Sequence, residues 1–204
     1  SAAISLFPAP AANSATMNEI PIIDTHQHLW DIQKFKLPWL STAPELARNY
    51  VTRDYLDAVK GLPVVKAVYM EVDVDPSQQV AEADHLIELS HNPANLTVGA
   101  VISGRPASDG FAAYIGRYRD NPVIKGVRQV LHVPETKPGT CVQPGYIRGV
   151  RLLGEMGKSF DLCMRPEELG DAVKLAVACP DTRFILDHCG NADPLVFGKS
   201  TDRK

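Results

Sequence analysis

The fold is decided by residues 20–31, Ile20-Pro21-Ile22-Ile23-Asp24-Thr25-His26-Gln27-His28-Leu29-Trp30-Asp31, where an apolar run leads into two histidines separated by one residue. Side chains alternate along a strand, so His26 and His28 lie on the same side if the strand continues through them. Two imidazoles at this spacing can hold one metal ion, or one substrate oxygen, from a rigid element. The alternative is a strand end with two exposed histidines. The polar and aromatic neighbours favour a site, because a plain strand exit more often has Gly, Asn or Ser.

The bulk composition is that of an ordinary globular protein. The chain has 204 residues, enough for one sizeable core, and its hydrophobic content is 45% against 22% charged residues. The formal net charge of −3 gives no sign of a nucleic-acid or membrane-surface partner. No apolar run approaches the length of a membrane span. We therefore expect no nucleic-acid partner and no membrane partner.

Residues 1–18 differ in composition from the rest of the chain. Residues 1–15 are rich in Ala, Ser and Pro and have no charged side chain. They are interpreted either as a signal-peptide remnant, since Ala9-Pro10-Ala11 fits a small-residue cleavage pattern, or as a disordered extension ahead of Met17. The expected location is accordingly either cytoplasmic or exported. Residues 19–204 are predicted to form one folded domain.

Strands and helices alternate along this domain. The predicted strands are the one that begins at residue 20 and those at 64–74, 96–102, 123–130, 160–164 and 184–186, and the predicted helices are 53–61, 78–91, 111–118, 146–156 and 166–178. Thr52 is predicted to cap the first helix. Strict alternation predicts right-handed βαβ units and a parallel sheet. No Gly-x-Gly-x-x-Gly follows the first strand, which disfavours a dinucleotide-binding sheet.

Titratable residues gather where the predicted strands end. They are His26, His28, Glu71, Arg128, His132, Arg165, Asp187 and His188. The carboxyl ends of the strands form the active-site face of an α/β barrel, and a closed barrel requires eight strands. This sequence supplies six, so we predict an α/β fold of the (β/α)8 TIM-barrel type, truncated to about six βα units and incomplete at its C-terminus. The open edge of such a sheet favours self-association or a homo-oligomer.

A long irregular stretch, residues 31–50, follows the first strand and contains Phe35 and Trp39. A loop of this length with aromatic side chains is interpreted as a lid or a pocket wall. The alternative is an ordinary packed surface loop.

Several motifs in the chain resemble those of a known family. Residues 23–31 resemble the first-strand signature of the amidohydrolase-related (amidohydrolase 2) family of metal-dependent hydrolases, and residues 36–40, Lys-Leu-Pro-Trp-Leu, resemble the segment after it. Residues 125–128, Lys-Gly-Val-Arg, and 186–190, Leu-Asp-His-Cys-Gly, resemble its fourth- and sixth-strand motifs in the right order. The nearest group is the lactonases that act on sugar lactones and on pyrone dicarboxylate.

The resemblance implies a catalytic and metal-binding cluster of His26, His28 and His188. A divalent metal, zinc first, is the implied cofactor, although some lactonases of the family work without one. The implied reaction is hydrolysis by activated water of a lactone in a small-molecule substrate that is carboxylated or sugar-derived. The family also uses an aspartate at the end of the eighth strand as metal ligand and general base, and that residue has no counterpart in this sequence.

Three further residues are predicted to contact the substrate. Arg128 is expected to bind a carboxylate or a carbonyl oxygen, with Glu71 and Trp30 as further groups of the pocket. The alternative for Arg128 is a structural ion pair with Glu71. Asp187 is interpreted as a structural group that points away from His188, because side chains alternate along a strand.

Other interpretations of individual residues and of the whole chain stay open. His188 is alternatively a core histidine, and His132 is ambiguous, since a histidine in a loop is usually just solvated. The competing functions are decarboxylation of an unsaturated or aromatic acid on the same scaffold, and a catalytically incompetent fragment that lacks the last two strands.

Overall fold

A parallel sheet forms the centre of the structure, a computed structural model that describes residues 20–197. Its strands are β1 (Ile22–Gln27), β2 (Val64–Met70), β3 (Thr97–Ser103), β4 (Ile124–Val130), β5 (Ser159–Cys163) and β6 (Arg183–Leu186). Each strand pairs in parallel with the next one along the chain, in the order β1-β2-β3-β4-β5-β6. The sheet curls into an incomplete barrel, which confirms the predicted TIM-barrel type of α/β fold. The extension predicted at residues 1–18 lies outside the described residues.

A helix connects each pair of neighbouring strands. The helices are α1 (Thr52–Ala58), α2 (Gln79–Ser90), α3 (Phe111–Gly116), α4 (Pro144–Glu155) and α5 (Leu169–Ala178). The alternation predicted from the sequence is thereby confirmed. Within residues 20–197, none of the helices combines the length and the apolar character that crossing a bilayer requires.

The register of the sheet separates core residues from site residues. Ile102, Val127, Phe160 and Phe184 are partners across β3 to β6, and they belong to the hydrophobic core or pack against it. The next row of partners is Ser103, Arg128, Asp161 and Ile185. Successive side chains point to opposite faces of a sheet, so this second row faces the barrel interior. The register thus places a buried arginine and a buried aspartate inside the barrel.

Two local predictions were wrong. Strand β2 was predicted to reach residue 74, but it ends at Met70, because Asp73 adopts a positive φ of 48° and its N–H donates to the Glu71 carboxylate at 2.7 Å. Thr52 was predicted as the N-cap of α1, but it is the first helical residue and Val51 is the N-cap. The carboxylate of Asp54 accepts the Val51 N–H at 2.9 Å, which satisfies an otherwise unpaired donor at the helix start.

Candidate active site

The candidate site is a cavity at the carboxyl ends of the strands, with a volume of ≈ 350 Å³. Its walls include His28, Trp30, Trp39, Arg128, His132 and His188. The carboxyl-terminal edge is where barrels of this kind place their chemistry. The predicted site residues His28, Trp30, Arg128 and His188 therefore lie around one cavity.

A compact cluster of metal-ligand side chains lies beside this cavity. The ligand atoms of His26, Asp187 and His188 all lie within 4.8 Å of one another. The His26 ring centroid lies 4.6 Å from that of His188 and 4.9 Å from that of His28. His28 contacts the cluster by its ring but is not one of the three converging residues, so the structure brings together two of the three predicted metal ligands and adds Asp187.

The donor atoms of this cluster fit a zinc ion. The Nε2 atom of His26 is buried and has no hydrogen-bond partner within residues 20–197. A buried unpaired nitrogen is unusual in a folded protein, and a bound metal ion is a partner that would satisfy it. Two imidazoles and one carboxylate are a common set of zinc ligands, and they leave the fourth position open. His26, His188 and Asp187 are thus the residues that would hold the metal.

The charge state of the histidines also suits metal binding. Burial, opposed by the nearby Asp187 carboxylate, lowers the pKa of His26. Burial, with the positive charge of Arg128, lowers the pKa of His28 to about 4. Both imidazoles are therefore neutral near pH 7, which for His26 is the form that binds a metal.

His28 is oriented by the sheet. Its Nδ1 lies 3.0 Å from the carbonyl oxygen of Met70, the last residue of β2. A carbonyl only accepts, so the Nδ1–H of His28 donates to it, and Nε2 is left as an acceptor. His28 therefore offers a hydrogen-bond acceptor at the cavity wall.

Arg128 is held in a buried ion network with Glu71 and Asp187. Its Nε donates to Glu71 Oε1 at 2.6 Å, its Nη2 donates to the Glu71 carbonyl oxygen at 2.7 Å, and its Nη1 donates to Asp187 Oδ2 at 3.2 Å. Side-chain exposure is 5% or less for each of the three residues. The structural pairing of Arg128 with Glu71 is thus present, and binding of a substrate by Arg128 stays a prediction. The network fixes the carboxylate of Asp187 beside the histidines, as partners of a metal ligand commonly do.

The predicted orientation of Asp187 was wrong. Its Oδ1 lies 4.0 Å from His26 Nδ1, and the carboxylate belongs to the same cluster as His188. Strand β6 ends at Leu186, and His188 adopts a positive φ of 49°. The alternation of side chains therefore stops before these two residues, and both turn toward His26.

The structure defines the positions of two residues whose part in the site the sequence left open. His132, which the sequence left ambiguous, lines the cavity, and its Nδ1 lies 3.5 Å from Cys163 Sγ and 3.3 Å from Asn191 Nδ2. Trp39 forms a wall of the cavity, held by a 2.7 Å hydrogen bond from its Nε1 to the carbonyl oxygen of Val72. The aromatic content of residues 31–50 was the available signal for Trp39, and the position of His132 directly after β4 was the signal for that residue.

The aromatic wall has a defined geometry. The rings of Trp30 and Trp39 are 5.6 Å apart and nearly perpendicular. Trp30 also pairs with Tyr50 through a short antiparallel bridge, which connects the two ends of the 31–50 loop. Part of this loop therefore forms the pocket wall that the sequence predicts.

Comparison with known proteins places these features in a family. The sequence profile of the family described as Amidohydrolase matches residues 23–202. An amidohydrolase 2 from Bifidobacterium longum subsp. infantis is 29% identical, with a TM-score of 0.66 over 86% of this chain and 64% of that protein. The chain thus spans somewhat less than two thirds of the length of this relative.

Two more distant structures share the fold. An amidohydrolase from Burkholderia multivorans with bound zinc is 20% identical, with a TM-score of 0.68 over 82% of this chain and 57% of that one. A probable 2-pyrone-4,6-dicarboxylic acid hydrolase from Acinetobacter baumannii with bound citric acid is 15% identical, with a TM-score of 0.59 over 85% of this chain and 60% of that one.

Proposed function

Since the chain belongs to the amidohydrolase family, we propose that it is part of a zinc-dependent hydrolase that opens a lactone ring with activated water. The observation that carries this proposal is the convergence of His26, His188 and Asp187, with the buried His26 Nε2 unpaired within residues 20–197. The predicted family resemblance, including its lactonase-like character, is supported by the family profile and by a structural neighbour described as a probable pyrone-dicarboxylate hydrolase.

The chemistry requires a nucleophilic water and a bound carbonyl group. Zinc in this position would supply Lewis acidity, which lowers the pKa of water toward neutrality. Arg128 orients Asp187 through the 3.2 Å hydrogen bond, so that this carboxylate faces the histidines without rearrangement. His28 offers its Nε2 lone pair as the acceptor for a hydroxyl group in the cavity.

The cavity walls favour a substrate with an apolar ring face. Trp30 and Trp39 present nearly perpendicular rings, which can cover a lactone ring and exclude water from it. Arg128 is the one lysine or arginine among the cavity-lining residues of the described chain. Its positive charge is already matched by Glu71 and Asp187, so a carboxylate on the substrate would compete with both. We therefore favour a neutral, sugar-derived lactone over a carboxylated one.

The direct test is an assay of the zinc-loaded protein against neutral aldonolactones, pyrone dicarboxylate and a panel of unsaturated carboxylic acids. Acid release from a neutral lactone is the expected result. His26→Ala and His188→Ala should each lower kcat/KM by about 10²–10⁴-fold and reduce bound zinc, because each removes a ligand. His91→Ala is the matched control, since His91 is exposed after α2.

The outcomes separate the competing functions. Release of carbon dioxide from an acid, without hydrolysis of any lactone, would establish the decarboxylase alternative. Full activity in His26→Ala would contradict the assigned site. Preference for pyrone dicarboxylate would retain the lactonase but overturn the neutral substrate.

A further inference from the structure

The segment that places His188 has an unusual backbone. Residues His188, Cys189, Gly190 and Asn191 have φ values of 49°, 53°, 73° and 56°. This is the left-handed region, which costs about 1–2 kcal/mol for each residue other than glycine. We call residues 188–191 the left-handed turn. A conformation of this kind persists only where its surroundings hold it, and such conformations cluster at functional sites.

Three contacts hold the left-handed turn. The Gly190 N–H donates to the carbonyl oxygen of Asp187 at 2.8 Å, which closes the turn at its start. Gly190 is buried beside Leu169, where an added Cβ would lie 3.0 Å from a side-chain carbon. At the end of the turn, Asn191 Nδ2 donates to the carbonyl oxygen of Met164 at 2.9 Å. The side chain of Asn191 thereby ties the turn to the residue that follows β5.

The same amide group contacts His132. Its Nδ2 lies 3.3 Å from His132 Nδ1. An amide NH2 group has two hydrogens and cannot accept, and the bond to Met164 identifies this atom as nitrogen. A hydrogen bond at this distance therefore requires an unprotonated Nδ1. In neutral His132 the proton must then be on Nε2.

Cys163 agrees with this assignment. Its Sγ lies 3.5 Å from the same His132 Nδ1. Burial raises the pKa of the Cys163 thiol to about 11, so the sulfur keeps its proton near neutral pH. Both neighbours of Nδ1 are thus donors, and His132 presents an Nε2–H.

We propose that Asn191 is a positioning residue that sets two histidines of the site at once. Through the left-handed turn it holds His188 against His26 and Asp187. Through its amide it fixes His132 as the Nε2–H tautomer, which gives the cavity a hydrogen-bond donor in addition to the acceptor of His28. Use of that donor to bind a substrate oxygen rests on the proposed function, whereas the position of His188 and the tautomer of His132 do not.

The tautomer is tested by ¹⁵N NMR of the imidazole groups in the metal-free protein at pH 8. Burial and the charge of Arg128 lower the pKa of His132, so the ring is neutral at this pH. In the parent chain the His132 signals should be those of an Nε2–H imidazole. In Asn191→Asp a carboxylate replaces the donor, and His132 should change to the Nδ1–H form. An Nδ1–H tautomer in the parent chain, or an unchanged tautomer in Asn191→Asp, would overturn this half of the proposal.

The position of His188 is tested by zinc affinity, measured by competition with a chelator. Asn191→Gly keeps a residue that tolerates positive φ but removes the side-chain tether. It should weaken zinc binding by about 10–100-fold, the usual effect of losing a group that orients a ligand.

The matched control is Asn95→Ala, which removes a 2.8 Å bond from Asn95 Nδ2 to the Leu89 carbonyl oxygen, remote from the site. Its zinc affinity should equal that of the parent chain. Parent-like affinity in Asn191→Gly, or an equal loss in Asn95→Ala, would overturn the positioning role. Neither measurement requires a substrate, so failure of the lactone assay leaves both results meaningful.

Discussion

The candidate site combines two regions that are built in opposite ways. The ion network of Glu71, Arg128 and Asp187 is buried and hydrogen-bonded, with one guanidinium group in contact with two carboxylates. The left-handed turn exposes His188 and Cys189 and adopts a backbone that non-glycine residues avoid. Asp187 and His188 are adjacent in sequence, so the two regions meet at the proposed zinc ligands. The buried charges of the network hold Asp187 in place, and the left-handed turn presents His188 at a cost in backbone strain.

The difference shows where stability and strain are located. Removing one partner from a buried network leaves the remaining charges unpaired in a poorly solvated interior, which is expensive. Relieving the strain of the left-handed turn should instead raise the free energy of unfolding, because the folded chain no longer holds a disfavoured backbone conformation. The two regions should therefore respond to substitution with opposite changes in the free energy of unfolding.

The largest effect is expected at Arg128. Arg128→Met should lower the free energy of unfolding by about 3–5 kcal/mol, because Glu71 and Asp187 lose the cation that both carboxylates contact. Urea unfolding at pH 7 measures the change. Arg105→Met is the matched control: its pair with Asp73 is about a quarter exposed on each side, so the loss should be below about 1 kcal/mol. Equal losses in the two variants would show that the network is no more stabilising than a half-exposed pair.

The same contrast explains how much the sequence could predict. Alternating strands and helices predict the parallel sheet, and the ion pair between Arg128 on β4 and Glu71 after β2 was one of two interpretations of that arginine, so the fold and one pair of the network could be anticipated from the sequence. The position of Asp187 does not, because the alternation of side chains holds only while the strand continues, and β6 ends at Leu186. The left-handed turn has one sequence signal, Gly190, and nothing in the pattern predicts positive φ at the three residues around it.

The role of His132 was hidden for a related reason. His132 contacts Cys163 and Asn191, which lie 31 and 59 residues further along the chain. The curled sheet brings them together, because it places β4, β5 and the end of β6 side by side. To predict such a contact, one must know how the strands are aligned with one another in the sheet, and the residue spacing within one strand does not determine this alignment.

The next effect is expected at Asp161, which lies on β5 beside Arg128. Burial, with the nearby negative charge of Asp187, raises the pKa of Asp161 to about 7. The folded state then binds a proton more tightly than the unfolded state, so the free energy of unfolding falls as the pH rises from about 4 to 7, by at most about 1.4 kcal/mol per pH unit. Asp161→Asn should flatten this decline, as measured by urea unfolding at several pH values.

Ser159 provides the opposing variant for Asp161. Its hydroxyl donates to Asp161 Oδ1 at 3.2 Å and favours the charged carboxylate. Ser159→Ala should therefore raise the pKa of Asp161 further and extend the fall in stability to pH values above 7. Parallel curves for the parent chain and Asp161→Asn would mean that the buried carboxyl does not control the pH dependence.

The smallest effect, and the one of opposite sign, is expected at Cys189 in the left-handed turn. Cys189 is exposed and has φ 53° and ψ 35°, a conformation that glycine adopts without a Cβ clash. Cys189→Gly should raise the free energy of unfolding by about 0.5–1 kcal/mol, since the relief of strain exceeds the added chain entropy of glycine. Cys189→Ala removes the thiol but keeps Cβ, so its stability should stay near that of the parent chain. If glycine is no more stable than alanine at this position, the turn stores no strain, and the contrast with the ion network reduces to a difference in burial alone.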